Sequence, residues 1–220
     1  MLLAGCGPAA KDKTPPDAQT TVTLNSSVAP AARQSADSGP RVLFIGTSLT
    51  AGYGLQPGQA YPTLVQQKAD SAGTPITSIN AGVSGETSAG ALNRISWVLR
   101  TPADIVVIET GANDALRALP VSEARKNIGA ILDSVKAAKP RAKVFLVQME
   151  APPNLGQAYT VAFHNMYSEL AREKGATLIP FLLKGVAGIA SLNQADGVHP
   201  NATGEKIVAR TVWNALRAAL

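Results

Sequence analysis

The stretch "RVLFIGTSLTAGYG", residues 41–54, begins as an apolar strand and ends in a loop of small and hydroxyl-bearing residues. A buried strand that runs directly into such a loop presents either its backbone amides or one side-chain hydroxyl. Amides in this position would cradle a phosphate, whereas a serine hydroxyl would become a nucleophile once a base accepts its proton. The rest of the chain has to decide between these two functions.

Strands like this one recur along residues 41–220 and alternate with helical patterns. The predicted strands are short, β-branched and nearly continuous in apolar residues, which is typical of parallel sheets covered by helices on both faces. They are 41–46, 104–110, 143–149 and 177–181, with a weaker one at 75–81. Helical periodicity is found at 61–73, 88–100, 121–139, 158–175 and 201–220, and we expect Asn201 near the N-cap of the last helix. The alternation predicts an α/β fold built on a parallel sheet.

Four segments carry residues suited to chemistry, and three of them directly follow a predicted strand. They are 46–50 (GTSLT), 80–87 (NAGVSGET), 111–114 (GAND) and 196–200 (DGVHP). The carboxyl ends of parallel strands meet at one edge of the sheet, where ligands usually bind. We therefore expect the first three segments to lie together, and the last helix to return the fourth to the same edge.

These segments contain the parts of a serine hydrolase. Ser48 is the candidate nucleophile and His199 the candidate base, because an imidazole titrates near neutral pH. Asp196 is placed to accept the other ring N–H of His199. Acyl transfer also needs donors for the developing oxyanion, and the backbone amides of Ser48 and Gly82 and the side-chain amide of Asn113 would provide three. A glycine at 82 is expected to give the oxyanion access to the backbone.

The four segments, in this order and spacing, resemble the SGNH (GDSL-type) hydrolase family over nearly all of residues 41–220. The resemblance implies a three-layer α/β/α sandwich with about five parallel strands, a flavodoxin-like arrangement. It also implies that Ser48, Asp196 and His199 are catalytic and that Ser48, Gly82 and Asn113 form the oxyanion hole. Within the family, "GTSLTAGYGL", "APPNLG" and "NQADGVHPNATG" are most similar to the bacterial arylesterase and thioesterase I/lysophospholipase L1 group. Members of that group are exported, cofactor-free esterases, so a small ester is the expected substrate.

Thr47 departs from the family pattern, which usually has aspartate immediately before the serine. Threonine keeps a hydroxyl but loses the charge, so the support of the loop is altered while the triad is kept. Two alternatives to a serine esterase stay open: a flavodoxin-like protein that binds phosphate or flavin, and an inactive lipoprotein on the same fold.

The remaining candidate residues belong to loops and helix faces. The loop 149–159 follows the fourth strand at the active edge, and Pro152, Pro153, Asn154 and Leu155 are predicted to line the substrate pocket. Trp97 falls at helical spacing with other apolar residues, which predicts core packing. His164 is interpreted as a structural or surface residue, and Glu86 and Asp114 as braces for loops rather than proton donors.

Composition narrows the functional classes further. The net charge is +5, residues 1–40 contribute three charges of each sign, and no basic block or aromatic-basic stripe is present, so no nucleic-acid partner is predicted. A single cysteine excludes an intramolecular disulfide. Two histidines without a nearby carboxylate pair do not suggest a zinc site, and neither a metal nor a cofactor is expected. No apolar run approaches the roughly 18 residues of a membrane span.

The first forty residues differ in character from the rest. Leu3-Ala4-Gly5-Cys6 resembles the bacterial lipobox, in which the cysteine is lipidated, and residues 7–40 are rich in Pro, Ala, Ser, Thr and Asp. Such a composition buries too little apolar area to fold. We therefore predict two parts, a lipobox-like N-terminus and flexible tether over 1–40 and a hydrolase domain over 41–220. The expected location is the periplasm, with membrane attachment through Cys6. Because only five residues precede Cys6, fewer than a signal segment needs, either the true start lies further upstream or the lipobox match is chance.

Overall fold

The structure, a computed structural model, describes residues 39–220. Cys6 and the tether predicted for residues 1–40 therefore lie outside the described residues, apart from residues 39 and 40.

Five parallel strands form one sheet in the order β2-β1-β3-β4-β5. The strands are β1 (Arg41–Gly46), β2 (Thr77–Gly82), β3 (Ile105–Ile108), β4 (Lys143–Val147) and β5 (Thr177–Ile179). The three central strands are almost completely buried, whereas the edge strand β2 is partly exposed. This explains why its apolar pattern was the weakest of the five.

Helices cover the sheet on two sides. They are α1 (Ser48–Ala51), α2 (Tyr61–Ser71), α3 (Ser88–Val98), α4 (Ala112–Leu116), α5 (Val121–Ala138), α6 (Gln157–Lys174) and α7 (Ala202–Leu216). Helices α2 and α7 contact each other, and α5 contacts both α3 and α6. The predicted three-layer α/β/α sandwich is therefore confirmed. Among residues 39–220, no helix combines the length and apolarity needed to cross a membrane.

The strand order reverses direction between β1 and β3, because the chain goes from β1 outward to β2 and then returns to β3 on the other side. Such a reversal leaves a crevice at the carboxyl ends of the strands. Ser48 follows β1 at this crevice, and the register that pairs Ile45 with Ile108 brings the segment after β3 alongside it. The topology thus assembles the predicted segments at one edge.

Most sequence-predicted elements match the structure, with differences at their ends. Asn201 caps α7 as expected, because its Oδ1 accepts hydrogen bonds from the amides of Thr203 and Gly204. The short helices α1 and α4 were not predicted. The core assignment of Trp97 is wrong, since this side chain is 66% exposed on the outer face of α3.

Candidate active site

Three side chains from two distant segments meet at the carboxyl edge of the sheet. Ser48 is the first residue of α1, and its Oγ lies 2.9 Å from Nε2 of His199. The other ring nitrogen, Nδ1, lies 2.7 Å from Oδ2 of Asp196. This is the relation of nucleophile, base and orienting carboxylate that acyl transfer requires.

The Asp196 carboxylate is fixed by its own loop. Its Oδ1 accepts hydrogen bonds from the backbone amides of His199 and Val198, at 3.0 and 2.9 Å. The bonds from the backbone and the ring of His199 are the main causes that lower the pKa of Asp196 to about 2. The carboxylate is therefore ionised at any working pH and favours the tautomer of His199 that carries its proton on Nδ1.

A second set of contacts holds the base from outside. The side chain of Gln194 donates from Nε2 to the backbone oxygens of Tyr53 and Pro200. Its backbone N–H donates to the backbone oxygen of His199. The Tyr53 ring lies against the imidazole, with ring centroids 4.7 Å apart. The loop after β1 and the loop before α7 are thus joined at the base itself.

A buried acidic side chain, Glu109, holds the loop that carries Ser48. Glu109, which follows β3, accepts hydrogen bonds from the Thr47 amide (2.8 Å) and from the hydroxyls of Thr47 (2.9 Å) and Thr50 (2.9 Å). Burial raises the pKa of Glu109, and the bonds from Thr47 and Thr50 oppose that shift. The Thr50 hydroxyl also contacts the Tyr61 hydroxyl at 2.8 Å. Sequence reasoning missed Glu109, although a lone glutamate ending the apolar run "DIVVIET" was the available signal.

This carboxylate bears on the phosphate-binding alternative. The Thr47 amide already donates to Glu109, and the carboxylate lies directly beneath the loop. A phosphate would find that donor occupied, so the contacts favour a hydroxyl-presenting loop.

The three predicted oxyanion donors differ in how free they are. Ser48 begins a helix, so its amide has no intrahelical acceptor. Asn113 uses one hydrogen of Nδ2 on the backbone oxygen of Glu86, at 3.0 Å, and keeps the second. The Gly82 amide donates to Oδ1 of Asn80, at 2.9 Å.

The structure gives glycine at 82 a packing role that the sequence did not indicate. A Cβ at this position would collide with the backbone of Thr50 and Ala51. Glycine is thus needed for the close packing of β2 against α1.

Glu86 and Asp114 brace loops, as predicted. Asp114 accepts hydrogen bonds from the amide and hydroxyl of Ser88, at 2.8 and 2.5 Å. Glu86 forms a two-point ion pair with Arg94, whose guanidinium also donates to the backbone oxygen of Ala81. These contacts fix the segments that carry Gly82 and Asn113.

An open cavity of about 480 Å³ begins at Ser48 and His199. Its walls are mainly apolar and come from the segments after β1, β3, β4 and β5 and from the loop before α7; they include Leu49, Leu116, Met149, Phe181, Leu183 and Val198. Of the predicted pocket residues, Pro152 and Pro153 line this cavity. Asn154 and Leu155, which follow Pro153 in a short 3-10 helix, do not line the cavity, and Leu155 packs against the core instead.

Comparison with known proteins shows which family this chain resembles. The sequence profile of the GDSL-like Lipase/Acylhydrolase family matches residues 44–207. The chain is 36% identical to Esterase TesA of Pseudomonas aeruginosa over 181 residues, which cover 81% of this chain and 89% of that protein. It is 33% identical to the Arylesterase of Vibrio mimicus over 174 residues, 78% of this chain and 86% of that one.

A solved structure shares the fold over a similar length. The psychrotrophic esterase EstA from Pseudoalteromonas sp., inhibited by monoethylphosphonate, superposes with a TM-score of 0.77 at 33% identity and covers 82% of this chain and 98% of its own. The predicted relationship to SGNH (GDSL-type) hydrolases is confirmed by these matches. The chain belongs to the GDSL-like lipase/acylhydrolase family.

Proposed function

We propose that the protein is a serine esterase that hydrolyses carboxylic esters through an acyl-enzyme on Ser48. The observation that carries the proposal is the contact of the Ser48 hydroxyl with His199, itself held by Asp196, at the mouth of an apolar cavity. A hydroxyl alone is a weak nucleophile, and this arrangement supplies the base that activates it.

The reaction follows from the positions of these groups. His199 accepts the Ser48 proton at Nε2 while Oγ bonds to the ester carbonyl carbon, and the carbonyl oxygen becomes an oxyanion. As the intermediate collapses, the bond to the leaving alcohol breaks and His199 returns the proton to that alcohol. Water then attacks the acyl carbon and gives a proton to His199. As the bond from the acyl carbon to Ser48 Oγ breaks and the acid leaves, His199 returns that proton to Oγ. Asp196 stabilises the imidazolium that forms in each half.

For the oxyanion we propose the amides of Ser48 and Gly82 and the side chain of Asn113. The first and last have hydrogens available for the substrate. The Gly82 amide contributes when the carbonyl oxygen replaces Oδ1 of Asn80 as its acceptor. Donors of this kind are worth roughly 10²–10³-fold in kcat each.

The cavity supports aryl esters and esters of short or medium acyl chains as substrates. Its apolar walls and volume suit a hydrocarbon or an aromatic group. Thioesters and lysophospholipids present the same acyl carbonyl and extend this proposal. Relatives named esterase and arylesterase support the ester class.

A matched pair of proteins tests this function. Wild type and Ser48→Ala are assayed on p-nitrophenyl esters of graded chain length, a lysophospholipid and an acyl-CoA. We expect turnover by the wild type only, with similar unfolding curves for both proteins. An organophosphate should label Ser48, and the labelled peptide is identified by mass spectrometry. Full activity of Ser48→Ala contradicts the proposal, and a wild type that neither turns over nor becomes labelled supports the inactive alternative.

We also propose that the protein is exported to the periplasm and attached to the membrane by lipid on Cys6. The support is the resemblance of residues 3–6 to a lipobox and the composition of residues 7–40. Mass spectrometry of the membrane fraction should find a lipid-bearing N-terminal cysteine, and an unmodified Cys6 behind an intact N-terminus would overturn this proposal.

A further inference from the structure

One charged side chain interrupts the apolar wall of the cavity. Glu150 follows β4 and lines the cavity with Met149 and Pro152, and it is the only carboxylate among the described residues that do so. No lysine or arginine is found among those lining residues. The side chain of Glu150 is 33% exposed, so a ligand in the cavity can reach it, and its neighbours decide which of its oxygens is free.

Only one oxygen of this carboxylate is satisfied by the protein. Gln148 Nε2 lies 2.7 Å from Oε1, and Nδ1 of His164 lies 2.8 Å from the same oxygen. Nδ1 also lies 2.9 Å from Gln148 Nε2, so it donates to Glu150 when it carries a proton and accepts from Gln148 when it does not. Within the described part of the chain, Oε2 has no hydrogen-bond donor, yet two side chains fix the orientation of the group that carries it.

The strand order gives the distance from the reacting centre. Ser48 follows β1 and Glu150 follows β4, with β3 between them. Two strand spacings separate these positions by roughly 10 Å along the edge of the sheet. An ester held at Ser48 with a chain in the cavity would therefore bring a distal substituent, remote from the scissile bond, to Glu150.

We propose that Glu150 determines specificity, with its free Oε2 accepting an ion pair or hydrogen bond from a cationic or hydroxyl-bearing substituent of the ester. The same charge disfavours substrates that place a carboxylate or phosphate there. This inference rests on the proposed esterase function and narrows its substrate class to esters whose substituent at Glu150 is neutral or cationic.

The test uses three p-nitrophenyl esters of one medium acyl chain length, whose chains end in a methyl, a trimethylammonium or a carboxylate group. All assays use the same pH and the same salt concentration. For each protein, kcat/KM of each charged ester is divided by that of the methyl ester. Glu150→Gln removes the charge with little change of shape, and Asp70→Asn makes the same charge change at an exposed site on α2 that does not line the cavity.

In Glu150→Gln we expect the kcat/KM ratio of the trimethylammonium ester to fall and that of the carboxylate ester to rise. Each change should be about five-fold, as for a partly exposed charge pair. The change should lie in KM, because the contact is the same in the ground and transition states, and it should shrink in high salt. Unchanged ratios, or equal changes in Asp70→Asn, overturn the inference while leaving the esterase function intact. Failure of the wild type to hydrolyse any of the esters, with no organophosphate label on Ser48, overturns both.

Discussion

The buried carboxylate beneath the nucleophile loop gives the sharpest stability prediction. Glu109 is replaced by methionine, which has a similar length and no strong acceptor, and by glutamine, which keeps one acceptor oxygen. Both changes remove the same carboxyl group, so the difference between the two variants isolates the hydrogen bonds made to Glu109.

In the methionine variant three donors lose their acceptor, the amide and the hydroxyl of Thr47 and the hydroxyl of Thr50. The contact between Thr50 and Tyr61 bonds only one of their two hydroxyl hydrogens, so it does not replace the lost acceptor. Each unsatisfied buried donor costs about 1–3 kcal/mol, so the methionine variant should be less stable than the glutamine variant by roughly 3–9 kcal/mol. Glutamine can place its oxygen to accept from the Thr47 and Thr50 donors, while its NH₂ group donates to the Thr47 hydroxyl.

The assay is urea unfolding of wild type and both variants, with kcat measured on one p-nitrophenyl ester. Because Thr47 immediately precedes Ser48, the methionine variant should also lose kcat, roughly 100-fold for a displacement of the nucleophile near 1 Å. Equal unfolding midpoints and equal kcat for the methionine and glutamine variants would refute the bracing role of Glu109.

Two further predictions concern carboxylates on either side of the site. Burial raises the pKa of Glu205 to about 8, so the folded protein holds a proton that the unfolded chain releases. The free energy of unfolding of the wild type should therefore fall by roughly 1.4 kcal/mol per pH unit as the pH rises from about 5 to about 8. Urea unfolding at several pH values should show that the free energy of unfolding of Glu205→Gln depends less on pH than that of the wild type. The same pH dependence in both proteins would count against this prediction. Asp196→Asn should lower kcat/KM by roughly 10²–10⁴-fold, because the ring of His199 loses the acceptor that fixes its tautomer. Organophosphate labelling of Ser48 should slow in parallel, and an unchanged labelling rate would contradict the orienting role.

The arrangement of Ser48, Asp196 and His199 could be anticipated because it depends on few features. Parallel strands have their carboxyl ends at one edge of the sheet. The segments that follow these strands therefore come together at that edge even when they are far apart in the sequence. The Asp-x-x-His spacing adds a local constraint, since a turn of that length lets Asp196 accept from both the backbone and the ring of His199. The geometry follows from strand polarity and one short turn.

Other features depend on register and on the paths of loops, which a periodic pattern does not encode. Glu109 lies under Thr47 only because β1 and β3 pair in one specific register. The pattern for α3 marks Trp97 as apolar, but α3 has a second face toward solvent, and spacing alone does not assign the ring to a face. In the loop after β4, a short helix turns Leu155 away from the cavity and leaves Glu150 lining it.

Thr47 can now be weighed against the aspartate usual at that position. A Cβ at Gly46 would collide with Thr50 and Glu109, so the space between the loop and β3 is already filled. In that space Glu109 needs donors; the backbone amide at 47 is one of them, and threonine adds its side-chain hydroxyl. An aspartate at 47 would instead set a second carboxylate against a buried one, which requires a shared proton. In this chain threonine is the better complement to Glu109, so its presence gives no physical ground for an inactive site.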